Sequence, residues 1–232
     1  MNRFITAIKN LDLTSVRQQL SENPQWINWT DKTGKNPLHY LCAVPVDDDR
    51  KKASDSVAIA KLLLDKGIDI NAANIIQSNN CDFPATPVWY AYAKGRNEKL
   101  YTYLLNHGAN PDHCMFAIAW NDDERAAELF KSHGAPVEDA AFLSAYLWRR
   151  IKMADWFLKN GADVNHTGAE GYSALHLAVK RKAPLEQVKW LLSYGANPHL
   201  PDKNGITPEQ IASENRQKAM LELFRSHQLH QQ

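Results

Sequence analysis

One short phrase recurs along the chain and limits what it can become. It reads Gly-Ile-Asp-Ile-Asn at 67–71, Gly-Ala-Asn-Pro-Asp at 108–112, Gly-Ala-Pro-Val-Glu at 134–138, Gly-Ala-Asp-Val-Asn at 161–165 and Gly-Ala-Asn-Pro-His at 195–199. Each phrase follows an apolar run at helical spacing, such as AIAKLLLDK at 58–66 or VKWLLSY at 188–194. The leading glycines are 41, 26, 27 and 34 residues apart, which brackets a unit of about 33 residues. Self-similarity at such a period points to stacked repeats. A single short hairpin of helices cannot bury its apolar face alone, so neighbours must cover it.

A second phrase fills the other half of the unit. It reads GKNPLHYLC at 34–42, ATPVWYAYA at 85–93, GYSALHLAV at 171–179 and GITPEQIAS at 205–213. On these two phrases the chain resembles the ankyrin-repeat family. That family's pattern is a turn with Gly, then Thr-Pro-Leu-His opening a first helix, then a second helix ending in Leu-Leu before Gly-Ala-Asp-Val-Asn. The likeness spans nearly the whole chain, although 113–139 and 140–167 lack the Thr-Pro-Leu-His half. The resemblance implies an all-α fold, an α-solenoid with short β-hairpin or turn fingers. It also implies an elongated, curved array of about six to seven units including caps.

Elementary chemistry leads the same way. Pro37, Pro87 and Pro208 stand where a helix would begin, a position that needs no N–H donor. Gly67, Gly108, Gly134, Gly161 and Gly195 stand where helices would end, where a left-handed residue is wanted. The Asn-, Asp- and Gly-rich stretches between them suit turns. The expected organisation is one repeat domain over 1–232. It has an N-terminal cap at 1–30, repeats at 31–73, 74–112, 113–139, 140–167 and 168–201, and a capping repeat at 202–232 with a polar end. Two insertions interrupt it. PVDDDRKKASDS at 45–56 is expected to lengthen the loop between the two helices of the first full repeat. NIIQSNNCDFPA at 74–85 lengthens the next finger and carries Ile75, Ile76 and Phe83 where a solvated loop should be polar. Loops of this size are functional or disordered as a rule, and a tolerated surface insertion is the equal alternative.

Charge and motifs exclude more than they suggest. The formal net charge is +1, so no global field draws nucleic acid or an anionic membrane. Three cysteines without framework spacing fit a reducing compartment, and the N-terminus lacks the apolar core of a signal peptide. A cytoplasmic location is expected, with secretion as an effector without a cleavable signal as the alternative. No 18-residue apolar run predicts a membrane span. Cys42 reads as a packing residue, Cys81 sits in the inserted finger, and Cys114 stands beside His113, with His107 and His133 not far off but without zinc-site spacing. The run Asp47-Asp48-Asp49 is answered at once by Arg50-Lys51-Lys52, a self-neutralising loop rather than a calcium register. No phosphate-binding loop, nucleophile elbow or zincin motif is present, so no catalytic residue, cofactor or metal is assigned.

His39 and His176 occupy the last position of the family's Thr-Pro-Leu-His, and Trp89 replaces it in another repeat. The resemblance implies that this histidine ties turns together. A recurring imidazole that one repeat replaces by tryptophan fits a strut better than a catalytic base.

The family also implies where a partner would sit: a concave groove lined by finger tips and the exposed ends of the first helices. Carried over, the tips include Lys32, Lys35, Glu170, Tyr172 and Lys203. The helix ends include Trp120 with Asn121, Trp148 with Arg149, and Lys180 with Arg181. The count at 120 and 148 runs back from Gly134 and Gly161, and a shift of one or two residues would bury both indoles instead. Trp156 and Trp190, on second helices, are expected in the core. Tryptophan beside arginine and lysine suits an acidic and apolar protein surface. The expected function is a non-catalytic, monomeric binding module for one protein partner: an inhibitor, an adaptor or a toxin-neutralising immunity protein. A host-directed bacterial effector or scaffold is the alternative. Nucleic-acid binding and service as an enzyme's regulatory subunit fit the sequence less well.

Overall fold

The computed structural model describes residues 2–47, 49–76 and 82–229. Cys81 and Asp48, both weighed above, lie outside the described residues, as does the middle of the 74–85 insertion. The chain divides into two compact units. The first runs to Ala117 and includes Glu128–Pro136; the second comprises Ile118–Ala127 and the described chain from Val137 onward.

The helices α1 (Arg3–Lys9), α2 (Leu13–Glu22), α3 (Pro37–Cys42), α4 (Arg50–Asp65), α5 (Pro87–Ala93) and α6 (Glu98–Asn106) belong to the first unit, with a 3₁₀ turn at Pro24–Asn28. Helices α7 (Met115–Asn121) and α8 (Glu124–Ser132) follow. The remainder is α9 (Asp139–Leu147), α10 (Ile151–Lys159), α11 (Ala174–Lys180), α12 (Leu185–Ser193), α13 (Pro208–Glu214) and α14 (Lys218–Leu229). Within the first unit, first helices stack as α1, α3, α5 and second helices as α2, α4, α6. Within the second, α9, α11 and α13 stack in order, α10 packs on α9, and α12 packs on α14. This serial stacking is that of an α-solenoid.

Local chemistry explains where helices start and stop. Prolines open α3, α5 and α13. Asn36, Ser173 and Thr207 cap α3, α11 and α13 in reciprocal boxes, with His39, His176 and Gln210 returning the bond. Each second helix from α4 to α12 ends in the same way. Gly67, Gly108, Gly134, Gly161 and Gly195 all take φ between +85° and +95°. The next amide then reaches back to a carbonyl of the last turn, as Ile68 N–H does to Leu63 at 3.1 Å and Ala162 N–H to Phe157 at 3.0 Å. The last residue of the phrase then clasps the following repeat. Asn71 donates to the Gly108 carbonyl at 3.2 Å and accepts the Asn110 amide at 2.7 Å. Asn165 repeats this with Gly195 (3.0 Å) and Asn197 (2.8 Å). Between Gly134 and Gly161 the clasp is remade: Asp139 accepts the Asp163 amide at 2.7 Å.

Two expectations, at 45–56 and at Trp190, need correction. Most of the 45–56 insertion is helix, not loop. Asp49 caps α4 by accepting the Lys51 and Lys52 amides, and α4 grows to 16 residues. The reading of the acidic run as a self-neutralising loop missed this cap. The 74–85 insertion is a strand pair at its base, β1 (Asn74–Ile76) with β2 (Phe83–Ala85), antiparallel with Ile75 opposite Pro84. Buried Asn74 anchors it, donating to the Thr33 carbonyl and accepting from Tyr90 Oη at 2.7 Å. Trp156 is buried, but Trp190 is only half-buried, because its indole N–H is held at the surface by Asp155 at 2.9 Å.

Candidate partner-binding surface

The two histidines are wired alike. His39 is fully buried; its Nδ1 accepts the Asn36 amide at 3.2 Å, and its Nε2 faces the Ala85 carbonyl at 3.2 Å. His176, also buried, accepts the Ser173 amide at 3.1 Å and points Nε2 at the Ile206 carbonyl at 3.2 Å. An acceptor role at Nδ1 and a carbonyl at Nε2 together select the neutral ring with its proton on Nε2. Burial pushes the His39 pKa from 6.5 down to about 4, and lowers that of His176 as well. Both nitrogens are spent on holding one repeat's helix start to the next repeat's strand or finger. Where Trp89 replaces histidine, the box is missing: Thr86 makes no capping bond and its buried hydroxyl has no partner. The indole packs instead against Phe83 (centroids 5.1 Å) and Tyr90 (5.2 Å). Cys42 is buried, and burial raises its thiol pKa well above the ordinary value. Among the described residues, no three His, Cys, Asp or Glu side chains are grouped to hold a metal.

The second unit carries an unusual surface. Trp120, at the end of α7, is 54% exposed, and Trp148, the C-cap of α9, is 37% exposed. Their rings meet edge to face, centroids 5.1 Å apart, and the Arg150 guanidinium lies 5.7 Å from the Trp120 ring. Six large apolar side chains are exposed among the described residues, and five of them are Trp120, Leu147, Trp148, Ile151 and Leu185. Of these, Trp120 and Trp148 touch, and Leu147 adjoins Trp148 in the chain. Beside it lies a cleft of about 250 Å³ lined by Tyr146, Arg149, Ile151, Arg181, Lys182 and Pro184, among others. Arg181 closes one side, donating to the Leu147 carbonyl at 3.3 Å.

The other residues named from sequence fall in several places. Asn121, Arg149, Glu170, Lys180, Arg181 and Lys203 are exposed in the second unit. Half-buried Tyr172 carries the Lys180 ammonium 3.9 Å from its ring, so these two are one group. Lys203 N–H approaches the Glu170 carbonyl at 3.4 Å. In the first unit, Lys32 is exposed, and Lys35 lies 5.3 Å from the Tyr90 ring in a cleft shared with Lys9 and Tyr40. In the finger, Ile75 is exposed, Ile76 is half-buried, and Phe83 packs on Trp89 and His113. Sequence reasoning missed Arg150, Ile151 and Leu185. The last two open second helices, where an apolar residue at the first position has no packing reason, and that was a readable signal.

Comparison with known proteins bears on all of this. A family profile described as ankyrin repeats (3 copies) matches residues 141–231, and one described as ankyrin repeat matches 33–75. An ankyrin repeat-containing protein of Treponema pallidum (strain Nichols) is 36% identical over 103 residues, 41% of this chain and 34% of that protein. An ankyrin repeat protein of fowlpox virus (strain NVSL) is 28% identical over 175 residues, 74% of this chain and 44% of the relative. The chain thus spans less than half the length of these relatives. Among solved structures, the ankyrin repeat domain of Bcl-3, a member of the IkappaB protein family, superposes with a TM-score of 0.71 at 19% identity, covering 97% of this chain and 98% of that one. The human ASB11 ankyrin repeat domain gives 0.66 at 19% identity, covering 91% of each chain. At that identity they speak for the fold alone. Paired capping boxes, glycine-closed helices, serial stacking and the matching profiles give one answer: this chain belongs to the ankyrin-repeat family.

Proposed function

We propose that this chain is a non-catalytic binding module that holds another protein, with the Trp120–Trp148 shelf as its principal contact. Ankyrin repeats are in general protein-interaction scaffolds, which supports the class of function. The observation that carries the site is the exposure of two touching indoles at equivalent helix ends. Exposed tryptophan costs solubility, and buried at an interface it is a common energetic centre. Asn121 and Arg149 adjoin the indoles in the chain and Arg181 bonds the Leu147 carbonyl, which gives the shelf a polar edge; Glu170, Tyr172, Lys180 and Lys203 are proposed as further contacts. The module acts as an inhibitor, adaptor or neutralising protein, roles that require occupation of a partner surface and no bond-making chemistry.

Hydrogen exchange tests this. The full chain is used to capture its partner from source cells, and the purified complex is compared with the free chain. Protection is expected in the peptides spanning 118–123 and 147–152. Protection confined to other segments would remove the shelf from the reading.

A further inference from the structure

The cleft beside the tryptophans has a chemistry of its own. Its lining includes three cations, Arg149, Arg181 and Lys182, and no carboxylate. All three are exposed. The nearby acids are otherwise engaged. Asp122 accepts the Met153 amide at 3.0 Å, Asp123 accepts the Ala126 amide at 3.0 Å as α8 begins, and Glu186 pairs with Lys189 at 2.8 Å. Arg149 and Lys182 also take positive φ, +60° and +52°. Glycine or asparagine would sit there with less strain. Ile151, Tyr146 and Pro184 give the cleft an apolar wall continuous with Leu147 and Trp148.

We infer that this surface is a two-part seat for an acidic, aromatic-bearing segment of a protein partner: an apolar side chain on the Trp120–Trp148 shelf and a carboxylate in the Arg149–Arg181–Lys182 cleft. The inference rests on the protein-binding reading above and names the partner's chemistry. Charge complementarity selects the occupant, since a cleft with three cations and no acid rejects a basic segment. The apolar wall and the paired indoles select a segment that alternates acid with aromatic over one that is only acidic. A bare polyanion would leave the tryptophans wet.

Binding of defined probes to the full chain separates the possibilities. The probes are the random copolymer poly(Glu,Tyr), poly(Glu) and a short single-stranded oligo(dT), each fluorescently labelled and titrated at physiological salt. Poly(Glu,Tyr) is expected to bind, with poly(Glu) and oligo(dT) each weaker by about tenfold or more. Arg149→Asn with Arg181→Gln, and separately Trp120→Ala with Trp148→Ala, should each weaken poly(Glu,Tyr) by about tenfold. Lys61→Gln with Lys66→Gln, which removes two exposed charges from the first unit, should leave it unchanged. Thermal melts check that each variant is folded, and Lys182→Glu provides a second test of the cleft. Poly(Glu,Tyr) that fails to bind, or that ignores the cation changes, overturns the acidic seat while leaving the hydrogen-exchange test of protein binding intact. Oligo(dT) binding as well as poly(Glu,Tyr) would overturn it in favour of a nucleic-acid occupant.

Discussion

His39 shows what one residue does for the array and what that costs in acid. In the unfolded chain its ring takes a proton near its ordinary pKa of 6.5, whereas the folded ring resists until about 4. Above 6.5 both states are neutral and the ring adds no pH dependence. Between 6.5 and 4 the unfolded state alone gains the proton, so stability falls as pH falls, by up to about 3 kcal/mol. His176 shifts in the same direction and adds to the loss. Urea melts from pH 7.5 down to pH 4.5 should show this decline, and His39→Gln should flatten it. Asp31, held at about 2 by bonds from Tyr40 and Thr33 that outweigh its burial, acts only at lower pH. The capping pattern gives a second residue-scale test. Ser173→Ala removes a formed cap and should cost about 1 kcal/mol. Thr86→Ala removes a hydroxyl that bonds nothing, and chemical denaturation should find it close to neutral.

At the scale of elements, the loops between first and second helices share a left-handed residue. It is Leu11 at φ +56°, Asp47 at +40°, Arg96 at +47°, Asp122 at +56°, Arg149 at +60°, Lys182 at +52° and Arg216 at +53°. An L-residue with a long side chain is strained there. Arg149→Asn should therefore raise stability by about 0.5–1 kcal/mol, read as a higher urea midpoint, even while it weakens the acidic probe. Gain of stability with loss of binding is the mark of a residue kept for contact. These loops also show what the sequence concealed. The helix ends were legible, because only glycine serves after 66, 107, 133, 160 and 194 and the apolar runs before it are periodic. The extension of α4 was not, because Asp49 reads as one more acid in a charged run until its carboxylate is seen to cap two amides. The remade clasp at Asp139 was hidden for a similar reason: the bond moved from the phrase's last residue to the helix that follows it.

For the molecule as a whole, the repeat identity lay open in the sequence and the proposed contact surface only in part. Repeats announce themselves because the same packing problem is solved again in each one, with the same glycine, proline and buried imidazole. A contact surface is solved once. Trp120 and Trp148 come from the two repeats that lack the Thr-Pro-Leu-His phrase, so their register rested on a count back from Gly134 and Gly161. The count placed both at helix ends beside arginine and lysine, where they are exposed, yet it gave no sign of Arg150 over the ring or of the cleft that gathers Arg149, Arg181 and Lys182. Those depend on α9, α10 and the loop after α11 meeting in space. The claim that joins fold to function is that these indoles serve a partner and not the core. Calorimetric titration of the captured partner into the wild-type chain and into Trp120→Ala with Trp148→Ala tests it, with a urea melt of each and Phe157→Ala as the core reference. The account predicts affinity lower by about 2 kcal/mol or more with the melt nearly unchanged, against about 3–5 kcal/mol of stability lost at Phe157. Equal affinity in the two chains, or a melt that falls as far as that of Phe157→Ala, would contradict it.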